Sequence, residues 1–127
     1  MKDLKFLEEI KEYLPDEKYE SLRCDFLCEA LANKFKEDYK TCLESALNKE
    51  DISSRLHKLL LLQDIIYTLE NCSESIALNA IELKALLDNR YSWIHIDDFF
   101  SEYDNDRMYN VILAIESAGR KMAVKND

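Results

Sequence analysis

Cys24 and Cys28 stand four residues apart, the spacing that sets two thiols on one face of a helix, while Cys42 and Cys72 lie far along the chain. A structural zinc site draws on closely spaced pairs such as CxxC, used twice. No pair here has that spacing, and Cys28 sits among Leu27, Ala30 and Leu31. Core packing as a small apolar group is its expected role. His57 and His95 lack a second ligand at helical spacing, since neither HExxH nor ExxH occurs. Each is expected as a hydrogen-bonded structural residue. Asp104 and Asp106 alternate as calcium-loop ligands do. Counted from Asp104, however, the positions that need Gly and Glu hold Tyr109 and Ile115. A single glycine cannot build a phosphate loop, a dinucleotide fingerprint or a nucleophile elbow. Neighbouring helical carboxylates such as Asp97 and Asp98 point about 100° apart and do not converge for acid–base work. The expectation is a protein without catalytic residues, cofactor or metal.

The densest chemistry lies in IDDFFSEYDND, residues 96–106, where five acids surround three aromatics and no cation intervenes between Arg90 and Arg107. On a helix starting at Ser92, the residues Trp93, Ile96, Phe99, Phe100 and Tyr103 share a side, and Asp97, Asp98 and Glu102 flank it. Two roles fit that spacing. Aromatics can anchor a short helix to the core while the acids face water. Alternatively, carboxylates rimmed by tyrosines can meet a Lys- and Arg-rich surface, with Tyr giving contact area and the acids giving steering. The candidate partner-binding residues are Asp97, Asp98, Glu102, Tyr103, Asp104, Asp106 and Tyr109. Asp104 or Asp106 is also placed to cap the helix that follows.

Composition limits which elements can hold these residues. The chain has 127 residues, 47% hydrophobic and 34% charged, with only Gly119 and Pro15 as turn formers of their kind. Sheet-rich domains need turn residues every few positions, so the expected fold is all-α. One domain over 1–127 is expected, with five to seven helices in a bundle or as stacked hairpins. The net charge of −9 opposes binding to nucleic acid or anionic membrane and favours a basic partner. The opening MKDLKFLEEIKEYLP lacks the apolar core of a signal peptide, and no segment approaches the roughly 20 apolar residues that span a bilayer. A cytoplasmic protein with reduced thiols is expected.

The spacing of Leu4, Leu7, Ile10 and Leu14 predicts a first helix over 3–14, ended by Pro15. A second runs from Asp16 to about Leu47, with one stripe through Leu27, Leu31, Phe35, Tyr39, Cys42 and Ala46 and another through Tyr19, Leu22, Phe26 and Ala30. Its length suggests a break within 33–38. The segment 52–71 is apolar almost all round from Leu59 to Ile66, which predicts the central, buried helix. Ser73 or Ser75 is expected to cap the next helix, lined by Ile76, Ala80, Leu83 and Leu87, and Ser92 the short one after it. The last helix carries Met108, Val111, Ile112, Ile115 and Met122 inward, with Gly119 as a close-packing point.

In size, acidity and helical content the whole chain resembles the small acidic immunity proteins that bacteria pair with secreted nuclease toxins, those of contact-dependent inhibition systems and of nuclease colicins. That resemblance implies one-to-one binding to a basic toxin domain, whose substrate groove would be blocked by carboxylates in phosphate-like positions. Two other classes share the composition. One is a helical interaction module or adaptor that uses an apolar groove, with affinity nearly independent of salt. The other is a phage-encoded inhibitor or DNA mimic, which needs acids arrayed along a long face.

Overall fold

The computed structural model describes residues 4–48, 52–100 and 106–125, which form six α-helices and no strand. Helix α1 (Leu4–Ile10) tightens into a 3₁₀ turn over Lys11–Tyr13, and Pro15 separates it from α2 (Asp16–Asn48). Pro cannot continue a helix, yet its fixed φ suits the turn before one, and Asp16 and Glu17 place negative charge at the new N-terminus.

Helix α2 runs unbroken for 33 residues, about 50 Å. The break expected within 33–38 does not occur. Length alone suggested it, whereas the local residues (Lys34, Phe35, Lys36, Glu37) have no reason to leave a helix, and packing braces both halves. Phe35 is fully buried in the main core, together with Leu27, Leu31, Leu61, Leu62, Ile65 and Leu86. Near its start, α2 holds α1 through a smaller cluster of Leu7, Tyr19 and Phe26. The Tyr19 hydroxyl donates to Glu8 Oε1 at 2.8 Å across that contact.

Helix α3 (Ile52–Asn71) folds back along α2 and also touches α6 (Arg107–Lys125). It takes the central place its composition predicts, and Leu59, Leu61, Leu62, Ile65 and Leu69 are buried. One face nevertheless remains uncovered. Leu56, Leu60 and Tyr67 are 48%, 46% and 53% exposed, so the apolar girdle from Leu59 to Ile66 is not enclosed all round.

After a 3₁₀ turn at Ser73–Ser75 the chain is extended to Asn79, which caps α4 (Ala80–Asp88). The cap is therefore not a serine. The Asn79 side chain accepts from the Glu82 amide at 2.8 Å, and Glu82 Oε1 accepts from the Asn79 amide at 2.9 Å, a reciprocal capping box. Helix α6 grips the extended stretch by both backbone groups of Ala77: Glu116 accepts from its amide at 2.7 Å and Arg120 donates to its carbonyl at 3.0 Å. Gly119 lies under the same stretch, where a Cβ would come 2.7 Å from Leu78 Cδ1, so close packing is its role.

Helix α5 (Ser92–Phe99) is not capped by Ser92. Ser92 is its first helical residue and is fully buried, with its hydroxyl turned back to the carbonyls of Leu86 and Asn89. Asp106 does cap α6, accepting from the Tyr109 amide at 3.0 Å. Along α6, Val111, Ala114, Ile115, Ala118 and Met122 close the core; Met108 and Ile112 are half-buried.

Candidate functional site

The acidic stretch divides in the folded chain. Asp97, on α5, accepts a hydrogen bond from His57 Nε2 on α3 at 2.6 Å and is about one-third exposed. His57 is thus a hydrogen-bonded residue as expected, though on the surface. Asp98 is exposed. Asp106 is exposed and engaged as the α6 cap, and Tyr109, in the first turn of α6, is 53% exposed. Glu102, Tyr103 and Asp104 lie outside the described residues. Of the expected carboxylates that are described, two already have partners within the fold and one points free to water.

The aromatics divide differently from the sequence expectation. Ile96 is the buried anchor of α5, with Trp93 and Phe100 half-buried against the main core. Phe99 is 42% exposed and lies under the ammonium of Lys121, 5.7 Å from ring centre to nitrogen. Phe100 is covered by the Arg107 guanidinium at 5.0 Å. Both cations shield ring faces that would otherwise meet water.

The uncovered face of α3 carries a further set of exposed apolar side chains. Leu56, Leu60, Gln63, Tyr67 and Glu70 follow one another at steps of four, three, four and three, and all are exposed. A 4-3 alternation is the a/d seam by which one helix receives another. Ile52 extends the same side toward the N-terminus and is 47% exposed. Both borders of this seam are lined by polar groups that pair within the chain. Toward α2, Gln63 donates to the Tyr39 hydroxyl at 3.0 Å and Lys36 meets Glu70 at 2.9 Å. Toward α5 and α6, His57 meets Asp97 and Arg107 meets Asp64.

The seam was open to sequence reading. Its polar member Gln63 interrupts the apolar girdle and Glu70 follows seven residues on, but the run from Leu59 to Leu62 masked that spacing. The capping box at Asn79 was equally visible as Asn-x-x-Glu ahead of an apolar run.

A cleft of about 380 Å³ opens between α2 and the end of α3, lined by Asp25, Cys28, Glu29, Lys36 and Glu70 among others. Burial pushes the Cys28 thiol up to about 11. At neutral pH it is protonated, the wrong form for nucleophilic attack. All four cysteines are free thiols, Cys28 and Cys42 buried. Among the described residues no three His, Cys, Asp or Glu side chains converge on a common point suited to a metal ion, and no helix is long and apolar enough to cross a membrane.

Comparison with family models, with curated proteins and with solved structures yields no match. Among the described residues the chain is a strand-free helical bundle, with helix faces suited to packing against protein.

Proposed function

We propose that this chain is a helical protein-interaction module that receives a helix of its partner on the exposed seam of α3. One observation carries the proposal: an apolar row at heptad steps, Leu56, Leu60 and Tyr67, bordered by charges that are already paired inside the chain. Apolar side chains about half exposed on a packed helix lose contact with water only when a partner covers them. With the border charges compensated, attraction comes from apolar burial, and affinity should change little with ionic strength.

A second reading is favoured by the net charge of −9 and by exposed Asp98 beside the Asp97–His57 pair. Here the chain acts in the cytoplasm of a bacterium as an immunity protein for a basic nuclease toxin, with carboxylates across α5 and the start of α6 as the contact. The pairing of Asp97 and the capping duty of Asp106 leave less free charge for that task than the sequence suggests.

Binding to the native partner, measured at low and high salt, separates the two. For the seam, Leu60→Glu abolishes binding while Asp98→Lys leaves it within about twofold, and salt has little effect. Loss on Asp98→Lys with retention on Leu60→Glu, and weakening as salt rises, would replace the seam with the acidic surface.

A further inference from the structure

We infer that the cleft between α2 and the end of α3 binds an aliphatic polyamine, with Asp25 and Glu29 pairing to its ammonium groups and Cys28, Ala32 and Leu69 receiving its methylene chain. The inference is independent of the α3 seam and of any protein partner.

The rim and the floor of the cleft differ in character. Asp25 and Glu29 stand exposed on the rim, four residues apart on α2. Neither makes a hydrogen bond or ion pair with another described residue. Like charges at that spacing repel across the helix surface. Lys36 is the cation of the lining, and Glu70 on the opposite wall holds it at 2.9 Å. The rim therefore carries two uncompensated carboxylates. Beneath them the floor is apolar, with Cys28, Ala32 and Leu69 only 5%, 2% and 3% exposed. The Cys28 thiol lines the cleft yet makes no hydrogen bond among the described residues. It is a weak donor and acceptor without a partner at the base of the site.

This combination selects the chemistry of the ligand. An inorganic cation would use the carboxylates and gain nothing from the floor. An apolar ligand would use the floor and leave the charges repelling each other. A chain of methylenes between ammonium groups uses both. Positions four apart on a helix lie roughly 5–6 Å from each other, about the reach of a four-carbon spacer between two nitrogens. A single exposed ion pair gains little, because water competes for both partners. Once one ammonium is seated, however, the second contact is intramolecular and comes at a high effective concentration. The methylenes between them gain by leaving water over an apolar surface. The cleft volume of about 380 Å³ suits a small molecule, near the lower end of the roughly 300–1,000 Å³ usual for such sites.

Calorimetric titration of the full chain with spermidine tests this, at about 50 mM salt so that exposed charges are only partly screened. Hexaamminecobalt(III), titrated in parallel, matches the charge and the N–H donors of spermidine but has no methylenes. Spermidine is expected to bind with a dissociation constant of about 1 mM or tighter, about tenfold or more below that of the cobalt complex. Its amide shifts should fall within 25–36 and 69–73. Asp25→Asn and Glu29→Gln, at exposed positions, should each weaken binding by about fivefold or more with helical circular dichroism unchanged. Glu17→Gln removes the same charge from α2 outside the cleft and should stay within about twofold of the wild type.

Equal binding of the cobalt complex, or equal loss from Glu17→Gln and Glu29→Gln, would mean that the net charge of −9 attracts polycations diffusely, and overturns the inference. No binding of spermidine up to about 10 mM overturns it as well. A capped lysine peptide that fills the cleft where spermidine does not overturns the free polyamine and gives the site to a basic protein segment. None of these outcomes bears on Leu60-dependent binding at the seam.

Discussion

The ammonium of Lys34 and the hydroxyl of Ser92 meet 3.3 Å apart over the carbonyls that end α4. Lys34 reaches across from the middle of α2 and donates to the Leu86 carbonyl at 2.9 Å and the Leu87 carbonyl at 3.1 Å, with Asn89 as a further acceptor. A cation at a helix C-terminus meets the negative end of its dipole. One side chain thus ties α2 to α4 and to the turn that launches α5. Burial pushes the Lys34 pKa down, and nearby Asp38 and Asp88 act against that shift.

Lys34→Met keeps the aliphatic stem and removes every donor. The Leu87 carbonyl would then lose this donor, and those of Leu86 and Asn89 would be left to share the Ser92 hydroxyl in a half-buried site, at a cost of about 1–3 kcal/mol. Urea unfolding of the two proteins measures it. A difference below about 0.5 kcal/mol would show that water replaces the ammonium without loss.

Asn79→Ala removes the side-chain acceptor of the α4 capping box. The expected loss is about 1 kcal/mol, and Asn79→Asp should retain most of the stability. Thermal unfolding followed by circular dichroism reads both. If Asn79→Ala melts with the wild type, packing of Leu83 and Leu86 alone holds α4.

How far the sequence foretold these contacts depends on their range. Apolar periodicity placed the inner faces, because Leu27, Leu31 and Phe35, or Val111 and Ile115, repeat at the step of a helix that needs burying. Pro15 and Asp106 marked helix starts for local reasons of backbone geometry and capping. Lys34 carried no such signal: its acceptors lie more than fifty residues away, and only the packing of α2 on α4 brings them together. The acidic stretch misled for the same reason. Its charge density was visible, but the partners of Asp97 and Asp106 were not, and those partners decide which carboxylates remain free. On α5 the exposed Phe99 and buried Ile96 reverse the order of hydrophobic size. A helix of eight residues has little room for an apolar stripe, and the cations of Lys121 and Arg107 cover the rings.

Gly119 and Leu78 should be coupled. A Cβ at position 119 would lie 2.7 and 3.1 Å from the two terminal carbons of Leu78, and 3.4 Å from Leu86 Cδ1. Ala is favoured over Gly inside a helix by about 1 kcal/mol, and the clash with Leu78 works against that gain. Leu78 is half-buried in the extended stretch, so its side chain can turn aside at some loss of packing. Gly119→Ala alone should change stability by less than about 1 kcal/mol, but in a Leu78→Ala background it should stabilise by about that amount. A double-mutant cycle with no coupling would remove close packing as the reason for glycine.

Alkaline stability offers a test of the buried thiol. Cys28 is pushed up to about 11, by burial first and then by Cys24 and Asp25, from an ordinary value of 9.0. A folded-state pKa above the unfolded one gives stability that is complete below pH 9.0 and is lost as pH rises through about 11. The unfolded chain gives up the thiol proton first, so base pulls the equilibrium toward it. Burial also raises the pKa of Cys24, which adds to the same trend. Cys28→Ala lowers stability at every pH by the lost sulfur contacts, yet it should flatten the decline between pH 9 and 11. Lysines titrating in that range contribute equally to both proteins and cancel in the difference. Urea unfolding in parallel pH series gives the two slopes. Identical slopes would mean that the folded Cys28 ionises as readily as the unfolded one, and that the core around it admits water.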